Sequence, residues 1–459
     1  MKYQDKAEAD SQQSFFQKKK SEMTDAERVS MFTGKLYQKA KQDGNYRFYV
    51  LYDKMFLPYM LREAWKQVRR QNGSPGIDGM SIGQIEAQGV EAYLSELSED
   101  LRRQTYKPKA VKRVMIPKAN GGERPLGIPT VRDRIAQTVC KMILDPIYEA
   151  DFSESSYGFR PGRGAREAIK AIKGHLQEGK VEVLDADLSN YFDTIPHDRL
   201  IKTLQERIAD PRLLELIGKW LKAPVYEDGQ FKGGKRNKVG TPQGGVISPL
   251  LANLYLNLLD RTVDRMEGMF QRAGIAIVRY ADDFVLMAGQ IPTQIEEKLN
   301  ELISRMGLEL NTTKTRKVNA SQTSFDFLGF TMRYDKDILG RPGRYWNIAP
   351  SKKSEKKLRE NIDRYLKAHG HYRTEIITSE LNAKLRGWLN YFDIPKVSYP
   401  SMSKRRIRHY LHERLTRYYN RKSQRKSRLY RRDAFKVMVE KYNLIDPTKY
   451  SVSALTVKA

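Results

Sequence analysis

The feature that most constrains the fold is an acid pair set between two strongly apolar runs. Residues 274–289 read GIAIVRYADDFVLMAG, so that β-rich segments flank Asp282 and Asp283. This pattern, with a short polar tip, is typical of a β-hairpin. An isolated Asp-Asp pair is usually only a polar turn. Here both flanks are apolar enough to be buried strands, and a costly acid pair between them indicates a functional site.

A second candidate strand also ends in acid residues. Residues 181–188, VEVLDADL, alternate as a strand does, and Asp187 lies at its end. If this strand neighbours the hairpin, Asp187 meets Asp282 and Asp283 despite a separation of 95 residues (282 minus 187). Carboxylates on adjacent strands suit a pair of divalent metals about 4 Å apart, the arrangement used in nucleotide transfer. Asp185 has the same strand parity as Asp187, so spacing alone also allows it as a ligand.

The charge of the chain favours a polyanionic partner. The 459 residues suit two or three domains, and 83 Lys and Arg against 55 Asp and Glu give a net charge of +28. A basic protein of another kind, such as a ribosome-associated factor, is the alternative. The single cysteine, Cys140, can form neither an internal disulfide nor a Cys-rich zinc site. With no bilayer-spanning run and no apolar core of a signal peptide near the N-terminus, we expect a cytoplasmic protein associated with nucleic acid.

Other segments predict further elements around these strands. Residues 1–28 are expected to be a mobile tail. Residues 111–129 predict a β-hairpin with its turn at 119–122, and the following segment predicts a helix that is apolar at Ile135, Val139, Ile143 and Ile147. The segment 244–264 predicts a long buried helix.

The last third of the chain predicts helices and carries the densest positive charge. Three apolar helical faces can be traced: Leu358, Ile362, Tyr365 and Leu366; Leu381, Leu385, Trp388, Leu389 and Phe392; Ile407, Leu411, Leu415 and Tyr418. From Lys404 to Arg432 there are 13 Lys or Arg and one acid, Glu413, interleaved with tyrosines. A solvated helix surface is one interpretation. We favour a phosphate-binding face that includes Arg405, Arg406 and Arg408.

Several ordered blocks resemble the group II intron-encoded reverse transcriptases. The tetrapeptide YADD at 280–283 matches their signature, and DADLSNYFDTIPH at 185–197 and GTPQGGVISPLLANLYLN at 240–257 look like two flanking blocks. Four more resemble family blocks in the right order: IPKANGGERPLGIP, YGFRPGRGAREAI, GLELNTTKT and FDFLGF. Together they span about residues 65–330, and LNAKLRGWLNYF at 381–392 resembles the thumb, or maturase, region.

The resemblance implies an α+β fold of the right-hand polymerase type, with an antiparallel-sheet palm backed by helices and an all-helical thumb. The expected division is a tail at 1–28, fingers at 29–180, a palm at 181–335, a thumb or maturase domain at 345–435 and a C-terminal tail at 436–459. No nuclease domain is expected after the thumb, since paired cysteines are missing there.

The resemblance also implies which groups hold metal. It assigns two Mg²⁺ ions, with Mn²⁺ as a substitute, to Asp187, the backbone carbonyl of Leu188 and Asp282. Asp283 would bind metal more loosely or support the site, and Asp185 is left out.

Further residues are expected around the incoming nucleotide and the template. Lys118 and Arg124 flank the turn of the first hairpin, and two cations there suit a triphosphate, although both can equally be surface residues. By resemblance, Phe192 excludes a 2′ hydroxyl, Gln243 and Gly244 position the nucleotide and template base, and Lys314 is the general acid for pyrophosphate departure. Three arginines are expected to contact template phosphates: Arg160, Arg163 and Arg166.

The expected function is therefore RNA-directed DNA synthesis from dNTPs on an RNA template with a DNA primer, together with assistance to splicing of a group II intron. Two alternatives stay open. One is a domesticated relative that serves a CRISPR, phage-defence or repair system, and the other is a non-catalytic RNA-binding splicing chaperone. An RNA-dependent RNA polymerase is a more distant alternative, since those enzymes usually have Gly before the acid pair.

Overall fold

The computed structural model describes residues 23–117, 122–234, 237–241, 244–337, 342–421 and 429–452. Its helices are Asp25–Gln42 (α1), Pro58–Gln71 (α2), Ile82–Gln88 (α3), Val90–Arg102 (α4), Val131–Glu149 (α5), Ala165–Gln177 (α6), Tyr191–Thr194 (α7), His197–Gln205 (α8), Pro211–Leu221 (α9), Ser248–Val263 (α10), Met269–Arg272 (α11), Thr293–Arg305 (α12), Lys352–Ala368 (α13), Thr374–Phe392 (α14), Ser401–Arg421 (α15) and Ala434–Tyr442 (α16). Its strands are Val111–Pro117 (β1), Glu123–Ile128 (β2), Glu182–Ala186 (β3), Pro224–Glu227 (β4), Gln230–Gly233 (β5), Ala276–Tyr280 (β6), Asp283–Ala288 (β7), Arg316–Asn319 (β8), Phe325–Phe327 (β9), Phe330–Lys336 (β10) and Arg344–Pro350 (β11).

The chain divides into two compact units, each built from separate segments. The first contains Met1–Arg160, Leu188–Thr262 and Lys298–Leu310, and the second contains Pro161–Asp187, Val263–Glu297 and Asn311–Ala459. The expected fingers, palm and thumb are consecutive segments, so they do not coincide with these units, and that three-part division stays a prediction.

The first unit is mainly helical, with one mixed sheet. Helix α5 is its central element, because the four predicted apolar positions, Ile135, Val139, Ile143 and Ile147, are all fully buried. The sheet has the order β2-β1-β4-β5, with β1 and β2 antiparallel as the predicted hairpin requires. The residues 118–121 that join these two strands, including the predicted turn, lie outside the described residues. The second hairpin, β4–β5, was not predicted.

The second unit contains the sheet that positions the acidic residues. Its order is β6-β7-β3-β8, and every neighbouring pair is antiparallel. Helix α6 packs against β6 and buries Ala168, Ile169 and Ile172. A second antiparallel sheet, β11-β10-β9, leads into helices α13 to α16. These features agree with the predicted fold class, an α+β right-hand polymerase with a helical thumb.

Three elements cross the predicted domain boundaries. Helix α1 begins at Asp25, inside the predicted tail, because Thr24 and Glu27 form a capping box there. The predicted thumb begins at 345, but β11 covers Arg344–Pro350 by pairing with β10, so the helices begin at Lys352. The thumb was expected to end at 435, whereas α16 continues to Tyr442 with Met438 fully buried.

Candidate active site

A two-residue turn presents the acid pair. Tyr280 on β6 pairs with Asp283 on β7, so Ala281 and Asp282 form the tip of the predicted hairpin. Ala281 has φ of 59°, in the left-handed region that a residue with a side chain rarely adopts. The guanidinium of Arg279 is fully buried and donates a hydrogen bond of 2.8 Å to the Ala281 carbonyl oxygen. The strained turn is therefore held from inside the unit.

Strand β3 brings the third carboxylate to the same edge of the sheet. Its last residue, Ala186, pairs with Phe284 on β7, so the register continues to Asp187 opposite Asp283. The backbone of Asp187 is fixed on its other side, because its carbonyl oxygen accepts a hydrogen bond of 2.8 Å from the Asn311 amide. The sheet topology thus brings together Asp187, Asp282 and Asp283, as the sequence predicted.

Burial and neighbouring negative charge raise the pKa values of two of these carboxylates. Desolvation and the negative charges of Asp282, Asp187 and Asp185 raise the pKa of Asp283 to about 6. Desolvation, with the charge of Asp187, also raises the pKa of Asp282, while Arg279 and Lys314 act in the opposite direction. A group of like charges with raised pKa values is a site where a cation would be stabilised.

Lys314 lies beside the predicted ligand Asp187. Its Nζ is 2.8 Å from Asp187 Oδ2, and this hydrogen bond raises the pKa of the lysine. The side chain is 64% exposed, so the ammonium can leave this partner without unfolding its surroundings. The sequence placed Lys314 near the reacting phosphates, and the structure brings it to the acidic edge.

Asp185 is engaged elsewhere. It lies opposite Arg316 in the β3–β8 register, and Arg316 Nε is 3.3 Å from Asp185 Oδ2. This pairing agrees with leaving Asp185 out of the ligand set. Sequence reasoning missed both Arg316 and Arg279. The available signal for Arg279 was an arginine in the middle of a strongly apolar strand.

The donor chemistry of this edge fits a hard divalent cation. Three carboxylates supply the oxygen ligands that Mg²⁺ prefers. However, among the residues that the structure describes, no three His, Cys, Asp or Glu side chains converge closely enough to hold a metal as they stand. The ion pair between Lys314 and Asp187 also engages a carboxylate oxygen that a metal would need.

The predicted nucleotide-binding residues on the first hairpin and the following block belong to the first unit. Arg124 on β2 is exposed, whereas Lys118 and Gln243 lie outside the described residues. Gly244 has φ of 103°, and a Cβ there would be 2.2 Å from the carbonyl oxygen of Gly127 on β2. Only glycine fits this close approach, which brings the 240–257 block against the strand that carries Arg124.

Phe192 is partly exposed in the first unit. Its neighbour Tyr191 is buried, and the Tyr191 hydroxyl donates a hydrogen bond to the Ala252 carbonyl oxygen. The two rings meet edge to face at 5.7 Å. The Phe192 carbonyl accepts a hydrogen bond of 2.6 Å from Thr241, so the two family blocks are joined at this residue. Leu188, the predicted carbonyl ligand, is buried and forms a single bridge with Leu310.

The three predicted template-contacting arginines differ. Arg160 is only 7% exposed, and its guanidinium forms a double hydrogen bond with Glu149. We therefore assign Arg160 a structural role in place of the predicted phosphate contact. Arg166 donates to the backbone carbonyl of Asn390 in the second unit, and Arg163 is half-buried there.

The arginines of α15 also divide. Arg406 forms a double hydrogen bond with Glu355 on α13, and Arg408 pairs with Asp446 at 3.2 Å. Both stabilise the helical region. Arg405 is exposed and pairs with no described residue, so it is the member of this trio best placed for a phosphate. The neighbouring Tyr418 and Tyr419 are buried and belong to the core, not to a binding face.

No helix in the described part of the chain is both long enough and apolar enough to cross a membrane.

Two protein-family descriptions match separate segments of the chain. The family description "Reverse transcriptase (RNA-dependent DNA polymerase)" matches residues 116–332, and "Group II intron, maturase-specific domain" matches residues 355–436.

The chain is also similar in sequence to individual proteins. Protein YkfC of Escherichia coli (strain K12) is 35% identical over a match that covers 66% of this chain and 87% of YkfC. Group II intron-encoded protein LtrA of Lactococcus lactis subsp. cremoris is 38% identical over 47% of this chain and 36% of LtrA. An uncharacterized 91 kDa protein in the cob intron of Schizosaccharomyces pombe is 30% identical over 62% of this chain and 41% of that protein. The chain thus spans most of YkfC but less than half of the other two.

Proposed function

The chain belongs to the family of group II intron-encoded reverse transcriptases and maturases, and from this premise we propose that it is an active RNA-directed DNA polymerase. The observation that carries the proposal is the placement of Asp187, Asp282 and Asp283 at one edge of an antiparallel sheet. A non-catalytic RNA-binding protein does not require three carboxylates at one edge, where burial and the charge of Asp187 raise the pKa of Asp282 and that of Asp283.

The three carboxylates, with the Leu188 carbonyl, would hold two Mg²⁺ ions, or Mn²⁺ in their place. When bound, these ions would activate the primer 3′ hydroxyl for attack and would neutralise charge on the triphosphate. In this arrangement Lys314 would be released from Asp187, and its ammonium would turn to the leaving pyrophosphate. A lysine ammonium is protonated at neutral pH, so it carries the proton that a general acid must donate.

Residues of the first unit are proposed to bind the nucleotide. Arg124 and Lys118 contact the triphosphate, and Gln243 and Gly244 position the base pair. The partly exposed ring of Phe192 lies against the sugar and excludes a 2′ hydroxyl. Arg163 and Arg166 are proposed template contacts.

The maturase role is proposed for the helical region matched at residues 355–436. Its positive charge suits a structured intron RNA, and binding there would assist both splicing and the copying of that RNA from a DNA primer. We propose that the protein acts in the cytoplasm, in association with nucleic acid. A domesticated enzyme with the same polymerase chemistry but another RNA partner would share every feature of the acidic edge.

The proposal is tested with Asp282→Asn, which keeps the size of the side chain but removes the charge. We expect cDNA synthesis in a primer-extension assay to fall by roughly 100-fold or more, because loss of even an indirect metal-site partner costs up to that much. RNA affinity, measured by filter binding, is expected to change little.

Asp228→Asn is the matched control. Asp228 is an exposed turn residue with φ of 51°, a conformation that Asn also tolerates. It should retain full synthesis. Substantial synthesis by purified Asp282→Asn protein would remove the proposed active site.

A further inference from the structure

A groove in the second unit, separate from the acidic edge, lies between helices α13 and α14. Its volume is about 860 Å³, within the range of about 300–1,000 Å³ typical of ligand sites. Residues 328–329 also line it. Neither the proposed metal chemistry nor the nucleotide contacts use this groove.

Positively charged side chains line the groove. Among the described residues that line it, Lys357, Arg364 and Lys384 are cationic and none is Asp or Glu. The carboxylates of α13 pair with other cations, Glu355 with Arg406, Glu360 with Lys356 and Asp363 with Arg414. The cations of the groove are therefore available for an anionic ligand.

Aromatic rings also line the groove. Tyr365, Trp388 and Tyr391 line the groove, and the Lys384 ammonium lies 5.1 Å from the centre of the Tyr365 ring. Trp388 is 9% exposed, and its indole N–H is buried without a hydrogen-bond acceptor among the described residues. The Tyr365 hydroxyl is likewise buried without a partner there. A ligand with polar edges could satisfy both groups after a small rearrangement.

Gly387 leaves unfilled space in the groove. Gly387 on α14 lines the groove, and a Cβ at this position would meet no atom within 4 Å. A methyl group at this position would therefore meet no clash, and a longer side chain would extend into the groove.

We propose that this groove binds an unpaired segment of an RNA strand. One or two bases stack on the aromatic wall, and the phosphates lie at Lys357, Arg364 and Lys384. Unpaired bases expose the faces that aromatic side chains stack on, whereas bases in a duplex do not. Three cations without a carboxylate favour a polyanion over a protein helix. The inference rests on the proposed function only for RNA being a partner, and it does not require polymerase activity.

The test uses an oligouridine RNA that contains 4-thiouridine, with binding measured by fluorescence anisotropy and crosslinked residues identified by mass spectrometry. Gly387→Leu should weaken binding roughly fivefold to a hundredfold, which is the loss of about one stacked base. Gly387→Ala, which adds only a methyl group, should bind as the wild type does. Crosslinks are expected at Tyr365, Trp388 or Tyr391.

A pair of matched charge variants separates the groove from general electrostatics. Lys357→Gln with Lys384→Gln removes two groove cations, and Lys352→Gln with Lys353→Gln removes two exposed cations from α13 that do not line the groove. The first pair should weaken binding more than the second. Thermal unfolding of every variant checks that the fold is retained.

Equal binding by Gly387→Leu and Gly387→Ala, in folded proteins, would overturn the inference. So would crosslinks confined to other residues, or equal competition by duplex RNA. Stronger competition by single-stranded DNA than by RNA would assign the groove to a DNA strand and also overturn it. Primer extension on a homopolymer template, measured separately with Asp282→Asn, reports on the proposed polymerase and does not depend on these outcomes.

Discussion

At the scale of single residues, Arg279 connects the hydrophobic core to the acidic tip. Its guanidinium is fully buried, yet it holds the carbonyl of the left-handed Ala281 and reduces the proton affinity of Asp282. An arginine supplies a planar fork with fixed donor directions, which a lysine does not reproduce. We therefore regard Arg279 as a positioning residue for Asp282.

This role predicts a graded loss in two variants. Arg279→Met should reduce cDNA synthesis and apparent Mg²⁺ affinity by roughly 10- to 100-fold, the usual effect of losing a group that orients a metal ligand. Arg279→Lys, which keeps the charge, should recover part of the loss. Mg²⁺ titrations of primer extension and Mn²⁺ binding followed by electron paramagnetic resonance measure both effects. If Mn²⁺ affinity is unchanged while only the melting temperature falls, Arg279 has a packing role alone.

Residue chemistry was predictable where it depended on neighbours in sequence. The acid pair Asp282 and Asp283 could be identified because the apolar strands around it are local, whereas only the family resemblance separated Asp187 from Asp185. The roles of Arg160 and Arg406 could not be identified, because their partners Glu149 and Glu355 are 11 and 51 residues away. A basic residue has the same appearance in a sequence whether it faces a phosphate or a buried carboxylate.

At the scale of elements, α13 and α15 are joined through a buried charge. Glu355 is 4% exposed and accepts hydrogen bonds from Arg406 on the facing helix. Removing one partner of such a pair leaves a desolvated charge, which costs more than the pair itself contributes. Arg405, the next residue along α15, has no such task.

These two neighbours should therefore respond in opposite ways to substitution. Arg406→Ala should lower the free energy of unfolding by about 1–3 kcal/mol, because it removes the double hydrogen bond to the buried Glu355 carboxylate and leaves that group only the 3.3 Å contact with Arg359. Arg405→Ala should change stability by less than about 0.5 kcal/mol but weaken RNA of any sequence and reduce the slope of log affinity against log salt by about one. Chemical denaturation and binding at several salt concentrations measure the two. An unchanged slope in Arg405→Ala would make this charge part of a solvated surface.

The long helices were predictable because their apolar faces repeat over several turns, as Leu381, Leu385 and Leu389 on α14 do. The short strands β8 and β9 were not predicted, and neither were β10 and β11. The three or four residues of β8 and β9 are too few to show an alternating pattern, and pairing across the sheet decides their conformation.

At the scale of the whole molecule, synthesis and splicing assistance should be separable. Synthesis requires the acidic edge, whereas RNA folding requires only a binding surface. Asp187→Asn should abolish cDNA synthesis and leave splicing of a cognate intron intact. Leu385→Ala, at a fully buried position of α14, should impair both, since such a truncation costs roughly 2–5 kcal/mol.

Parallel splicing and primer-extension assays on the same preparations measure this separation. Loss of splicing in Asp187→Asn would mean that the two activities share the carboxylates. If the wild-type protein accelerates splicing of no RNA from its own locus, the maturase proposal fails and the domesticated enzyme becomes the better account.

The order of motifs along the chain predicted the fold class, but it did not predict the division into two compact units. That division depends on contacts between distant segments, since each unit gathers three separate stretches of chain. Local sequence patterns contain no record of such contacts.

The position of β3 in its sheet has a consequence for biosynthesis. Both of its partners, β7 and β8, come later in the chain, and 97 positions separate Ala186 from Asp283 (283 minus 186). At a translation rate of about 5–20 residues per second, the nascent strand waits roughly 5–20 seconds for its first partner. During that interval Val183 and Leu184, which are buried in the finished sheet, are exposed on an unpaired strand. The yield of native protein should therefore depend on how quickly ribosomes traverse this interval and on how well chaperones shield the strand until its partners emerge.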